Sequence, residues 1–600
     1  MARKTASAFE GFETFTNSFK MIFKMHLCIL AGCLLLQCFI LYALWDFRSY
    51  DNRFMLAWYK ARIAAQIPLQ MKVAFPTPDG GRNVFLARDI VRSPDLINYA
   101  SQNNYRYLVA IAWSFCTYLF YPLTLVYFRR KAVALAEKAH LRGTRLIDPK
   151  HYRTLVRKRK DVLDLPMGSV QLPLEAETKH LVLVGKSGCG KTNAVNQIIA
   201  RLRERGDRAV IYDSKGDFIA KFYDPVRDLI FNPLDRRSLR WTLFNDIRIR
   251  PDIDAIAGSQ IPPPNDHENP FWRTTARGLF AACLRFLRGQ GHTTNRDIWE
   301  LLISEDAVIA ECLNQSREMA AKYLSRPDSD TAKSIISTLT SHLGAYEYLA
   351  TVDGEFSITD WVKAGEGFLF ISSYADIRHA LKPLISLFID QLSMRFLALP
   401  ECPAQKTFFI LEELWTLQKL PALLDLVTQS RSKCGALVLS VQEIAQLEAI
   451  YGRSGARTIF NNCGSQLVFG CTESETARYC SQLLGEEEVL EATRSYTLGV
   501  DKFKDGVNIT QARSKKDVLL PSEFRALPDL SAILKINNYP PLRTRFEYQP
   551  FEIRHSSFEP SETLAFAAPG TPDHLESEDI DFVDEEIGSD FHETDENTAV

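Results

Sequence analysis

Residues 180–206 read HLVLVGKSGCGKTNAVNQIIARLRERG. Gly185, Gly190, Lys191 and Thr192 fill the fixed places of GxxxxGKT, with Lys186, Ser187, Gly188 and Cys189 between them. Such a loop turns backbone N–H groups and a helix N-terminus toward phosphate oxygens. The lysine neutralises β/γ charge, and the threonine hydroxyl gives Mg2+ an oxygen ligand. The chemistry expected is binding of ATP with Mg2+. Cys189 is read as a small residue fitted to a tight loop in preference to an oxidation-sensitive thiol.

A phosphate-binding loop needs an acidic site on a neighbouring strand, and Thr407 to Leu414 (TFFILEEL) supplies one. Four apolar residues, Phe408 to Leu411, predict a buried strand with Glu412 and Glu413 at its carboxyl end, where open α/β sheets bind ligands. Glu412 stands where most P-loop enzymes carry Asp and is expected to hold the metal with Thr192. Glu413 is expected to polarise the attacking water, with the division of roles between the two left open. Ala436 to Gln442 (ALVLSVQ) is a further apolar strand ending in an amide. In RecA-like motors that position senses the γ-phosphate. Arg431 is read either as an arginine finger reaching a neighbouring subunit's site or as a surface ion-pair residue.

These residues need a sheet with a helix after the loop. Leu181 to Val184 predicts the strand before it, and the NAVNQIIARLRER run an amphipathic helix after it. The 600 residues exceed one ordinary core, so two or three domains are expected. A hydrophobic content of 46%, charged content of 24% and mean hydropathy of -0.13 exclude a polytopic membrane protein as the main body. The 12 cysteines show no CxxC pairs, so a reduced chain with neither zinc site nor structural disulfide is expected.

The membrane-compatible segments lie at the front. Leu27 to Trp45 holds 19 residues without a formal charge, and Tyr107 to Phe128 is a second uncharged run followed by Arg129, Arg130 and Lys131. Each is long enough to span a bilayer core. From Arg129 to Lys160 there are 12 Lys and Arg against Glu137 and Asp148, which places both termini in the cytoplasm. That basic run is suited to anionic lipid or to DNA. The formal net charge of -2 hides an acidic tail: Asp573 to Glu596 carries 12 acids, and removing them from 73 leaves 61 against 71 basic residues. A basic body suits a polyanion, and the tail suits a separate partner.

Beyond the P-loop, several motifs recur in order: YDSKGDF (Tyr212 to Phe218), FNPLDRR (Phe231 to Arg237), NPFW (Asn269 to Trp272), LFISSYAD (Leu369 to Asp376), LEELWTLQKLP (Leu411 to Pro421), AQLEAIYG (Ala445 to Gly452), YTLGVDKFKDGV (Tyr496 to Val507) and LPDL (Leu527 to Leu530). With the two spans, they resemble the TraD branch of the type IV secretion and conjugation coupling proteins, the TraD/TraG-like family. The resemblance runs from the anchor to about residue 550. It implies an α/β fold, a RecA-like P-loop ATPase domain with an all-α insertion, preceded by two transmembrane helices. It also implies a hexameric, inner-membrane, two-pass DNA translocase. Its partners would be single-stranded DNA with relaxase, the type IV secretion channel components, and a relaxosome accessory protein at the tail.

The expected organisation is an anchor at 1–131 with a periplasmic loop, and a basic connector at 132–180. The RecA-like domain follows at 181–246 and 363–550, interrupted by the all-α insertion at 247–362. An acidic disordered tail fills 551–600. Three rival readings share the motifs: export of protein effectors, an FtsK-type double-stranded DNA pump, and a membrane receptor or scaffold that binds nucleotide without turnover.

Overall fold

The computed structural model describes residues 49–115, 139–264, 269–315, 317–326, 329–374, 376–401, 405–497 and 506–561, with short stretches between 23 and 42 and between 122 and 130. The chain divides into two units, one of residues 1–141 with 489–514 and one of 142–488 with 515–600.

The second unit is built on a nine-stranded sheet. Numbered along the chain, its strands are β1 (Leu181–Val184), β2 (Arg208–Asp213), β3 (Leu229–Phe231), β4 (Phe368–Ser372), β5 (Thr407–Leu411), β6 (Gly435–Val441), β7 (Ser465–Val468), β8 (Ser531–Ile536) and β9 (Tyr539–Arg545). Their spatial order is β9-β8-β7-β1-β6-β5-β2-β4-β3. The seven strands from β7 to β3 pair in parallel, and β8 and β9 close one edge antiparallel. Runs such as LVLV and TFFIL carry no polar face because a parallel sheet is covered on both sides. Their side chains alternate strictly between two cores. Val182, Val210, Phe409 and Leu437 enter one core, and Leu183, Ile211, Phe408 and Val438 enter the other.

The second of these cores is covered by α1 (Lys191–Arg205) and α2 (Asp217–Phe222), through residues such as Ala194, Ile198, Leu202 and Phe218. The stretch expected as a connector belongs here too. A helix at Pro149–Arg159 and a hairpin of Leu163–Met167 with Val170–Pro173 bury Tyr152, Val156, Leu165 and Met167 in the same core. Residues 142–180 are therefore part of the folded body, because their apolar residues recur at helical and strand spacing beneath the basic ones.

The other face packs against α3 (Arg378–Leu397) and the helices between β3 and β4, which run from Arg250–Gln260 through Pro270–Gln290 to Ile358–Ala364. Pro270–Gln290 starts at an Asn269 cap with Pro at the first turn and buries Ala276, Leu279, Phe280, Cys283, Leu284 and Leu287 on one face. These side chains lie in the same continuous core as the sheet residues. Phe388 of α3 stacks on Phe231 at 3.8 Å and meets Trp241 edge-on at 5.0 Å, binding β3 to the helical segment.

The C-terminal stretch expected to be disordered starts as an ordered strap. Residues 551–561 lie along α2 and the segments after β3 and β4: Phe551 packs on Phe222, His555 on Tyr223 and Phe558 on Tyr374. Arg554 N–H donates to Ala220 O, and Glu559 pairs with Arg236 and Arg237. The acidic run from Asp573 lies outside the described residues.

The first unit has a small core of its own. Helices Tyr50–Ala64, Ala87–Arg92 and Pro94–Phe115 and the hairpin Lys72–Pro76 with Arg82–Leu86 enclose Phe54, Trp58, Ala61, Phe75 and Ile90. Phe54 sits 4.6 Å from Tyr99 and 4.9 Å from Phe75, ring centre to ring centre. Among the described residues no helix is long and apolar enough to cross a membrane. Part of each expected span, residues 40, 41 and 43–45 of the first and 116–121, 124, 125 and 128 of the second, lies outside them.

Candidate nucleotide site

The GxxxxGKT loop connects β1 to α1 at the carboxyl edge of the sheet, where β5 and β6 also end. Lys186, Ser187 and Gly188 are exposed at its tip, and Cys189 is buried beneath it. Burial raises the Cys189 thiol above its ordinary value, which fits a packed small residue better than a reactive one. Gly190 has φ +112, and a Cβ there would stand 2.8 Å from Leu530 Cδ2, so only glycine fits.

Lys191 is buried, and its ammonium donates to the loop's own carbonyls at Gly185 and, at 2.9 Å, Lys186. Burial holds it below the usual lysine range. Thr192 Oγ1 donates to Glu412 Oε1 at 2.8 Å, joining the loop to the end of β5. Glu412 is 3% exposed, and its Oε2 has no hydrogen-bond partner among the described residues. Burial first, and then neighbouring Asp213, push its carboxyl up to about 7. A threonine hydroxyl beside a carboxylate with an unsatisfied buried oxygen is the hard-oxygen donor set that Mg2+ takes.

The register sets the next contact. Leu411 pairs with Tyr212, so Glu412 leaves β5 beside Asp213 at the end of β2. Asp213 is fully buried and accepts five backbone N–H bonds, from Lys215, Gly216 and Asp217 on Oδ1 and from Phe218 and Ile219 on Oδ2. Burial nonetheless pushes its carboxyl up to about 6. The loop it organises presents Ser214 and Lys215 to Glu413. Ser214 Oγ donates to Glu413 Oε2 at 3.2 Å, and Lys215 Nζ lies 2.9 Å from Oε1. Glu413 holds a left-handed φ of 51°, with Thr416 Oγ1 donating to its carbonyl at 2.8 Å. Arg378, at the start of α3, donates to Ser214 O at 2.7 Å.

Gly216 is packed under the strap at φ +78, and a Cβ would lie 2.7 Å from Ser557 O. Gly216→Ala is expected to cost about 1–3 kcal/mol and to free residues 551–561, read as new protease cleavage within that stretch.

Of the other residues expected at the site, Gln442 follows β6 directly, beside the loop, where Gly185 N–H donates to Val441 O at 3.3 Å. Arg431 is exposed in the turn before β6, at the opposite edge of the sheet and about 20 Å from Gln442 at roughly 3.3 Å per strand residue. It lies beside His180, which burial pushes down to about 4, and does not join the site of its own chain. Asp213, Ser214, Lys215 and Arg378 were missed as site residues, although YDSKGDF was visible as a motif at a strand end. LPDL likewise belongs here: Leu530 N–H donates to Cys189 O at 2.9 Å and Asp529 lies 3.7 Å from Lys186.

Residues 164–547 match the family model of the type IV secretion-system coupling protein DNA-binding domain. Coupling protein TraD of Escherichia coli (strain K12) is 31% identical over 418 residues, which is 68% of this chain and 58% of TraD. Protein VirD4 of Rhizobium radiobacter is 24% identical over 58% of this chain and 51% of its own length. The match thus spans just over half the length of these relatives. A solved structure of the plasmid coupling protein TrwB in complex with ADP and Mg2+ superposes with a TM-score of 0.62 at 28% identity, covering 71% of this chain and 98% of TrwB.

Proposed function

The chain belongs to the type IV secretion-system coupling proteins, and from that premise we propose that it is a membrane-anchored ATPase passing relaxase-bound single-stranded DNA to the secretion channel. The observation that carries the proposal is the join between Thr192 and Glu412, with Glu413 held alongside, at the carboxyl edge of a parallel sheet.

In this reading Lys191 exchanges the Gly185 and Lys186 carbonyls for phosphate oxygens when ATP binds. Loop N–H groups hold the remaining oxygens, and Glu413 takes the proton of the attacking water. Thr192 and Glu412 would hold Mg2+, which would offset negative charge on the phosphates. Gln442 reports the γ-phosphate to β6. A hexamer places the exposed Arg431 of one subunit at its neighbour's site. Both spans cross the inner membrane with the termini in the cytoplasm, and the acidic tail docks a basic relaxosome protein. The relative TrwB, solved with ADP and Mg2+, supports the nucleotide assignment.

The test is the ATPase rate of the full chain in lipid nanodiscs, with and without single-stranded DNA. Stimulation that falls steeply as salt rises is expected, because the grip is on phosphates. Hydrolysis indifferent to DNA would replace the substrate with protein, and no hydrolysis would overturn the enzyme.

A further inference from the structure

The site holds three carboxylates, Asp213, Glu412 and Glu413, close to two ammonium groups, Lys191 and Lys215. Lys191 has the loop carbonyls and, in the reading above, the phosphates. Lys215 has no place in that scheme, yet it and Ser214 contact one oxygen each of Glu413. Two consecutive residues thus hold both ends of one carboxylate.

The loop that carries them is fixed from three sides. Asp213 takes five of its N–H groups, Arg378 takes the carbonyl of Ser214, and Ser557 of the strap closes over Gly216. The Lys215 side chain is itself half exposed, so it is the fixed backbone beneath it that sets where its ammonium reaches.

We propose that Lys215, with Ser214, is a positioning residue that sets the orientation of the Glu413 carboxylate as it takes the proton of the water attacking the γ-phosphate. The proposal rests on the ATPase reading. With Lys215 removed, the 3.2 Å serine contact is the one left on the Glu413 carboxylate among the described residues, and the carboxylate swings under repulsion from Glu412. An ångström of misplacement costs on the order of 100-fold in rate.

Full-length Lys215→Met, Lys215→Arg and Ser214→Ala chains in nanodiscs supply the test. The readouts are kcat and KM for ATP, and ADP affinity by displacement of a fluorescent analogue. Lys215→Met is expected to lower kcat at least tenfold while KM and ADP affinity stay within about twofold. Lys215→Arg is expected to recover most of kcat, because the cation returns, and Ser214→Ala to cost less than Lys215→Met.

Unchanged kcat in Lys215→Met would overturn the proposal. So would a loss of ADP affinity in step with kcat, which would make Lys215 a phosphate ligand. A wild-type chain that hydrolyses ATP while Lys215→Met matches it removes this inference alone. A wild-type chain without hydrolysis removes the ATPase reading beneath it as well.

Discussion

Lys191→Ala is expected to lower kcat/KM for ATP on the order of 1000-fold while leaving the fold intact. The side chain is buried, so the loss of its cation is a loss of charge in a site of low dielectric, where one such group is worth far more than in water. Its present partners are the carbonyls of Gly185 and Lys186. Lys186 is exposed, so water can replace the ammonium when it is gone. Alanine also suits the first turn of α1 at least as well as lysine does. The unfolding midpoint should therefore move little, and membrane insertion should be normal. Conjugative transfer should disappear along with hydrolysis. Normal mating with this variant would sink the motor reading, since Lys186, the other cation of the loop, is exposed at its tip and faces Asp529 at 3.7 Å.

The contrast between what the sequence shows and what it hides follows from the range of each interaction. The P-loop is legible because phosphate binding fixes residue types at contiguous spacing, and the strand before it is legible from four apolar residues in a row. Glu412 and Glu413 are legible for the same local reason. Lys215 is not, because its importance depends on register: only the pairing of Leu411 with Tyr212 brings the end of β2 alongside Glu413. LPDL is more distant still, lying against the loop through Leu530 and Asp529 some 340 residues later in the chain. Composition also misled at both ends of the body. A basic run hid the buried Tyr152 and Val156, and an acidic tail hid the aromatic anchors Phe551 and Phe558 at its root. In both places a few apolar contacts outweigh the charge of the segment around them.

Glu412→Gln is expected to make the nucleotide-free protein more stable at pH 8 and to end hydrolysis. The folded carboxyl titrates at about 7 against an ordinary value of 4.5. Between those values the folded state keeps a proton that the unfolded chain has released. Stability from this group therefore falls as pH rises through that window, and the loss is complete above about 7. At pH 8 the ionised, buried carboxylate costs on the order of 2–3 kcal/mol. Glutamine keeps an oxygen to accept from Thr192 and removes the charge, so the variant should melt several degrees higher at pH 8, by roughly 2–4 °C per kcal/mol. The difference should shrink as pH falls toward 5, where the wild-type group is already protonated. A gap independent of pH would show that this carboxylate is not held against its ionisation. Adding ATP with Mg2+ should reverse the order. The wild type gains stability from a ligand that binds only the folded state, and the variant, lacking the negative charge that would draw the metal, should gain little. On the reading that Glu412 holds Mg2+, the costly carboxylate is kept because the ionised form that weakens the nucleotide-free fold is the one a divalent cation requires.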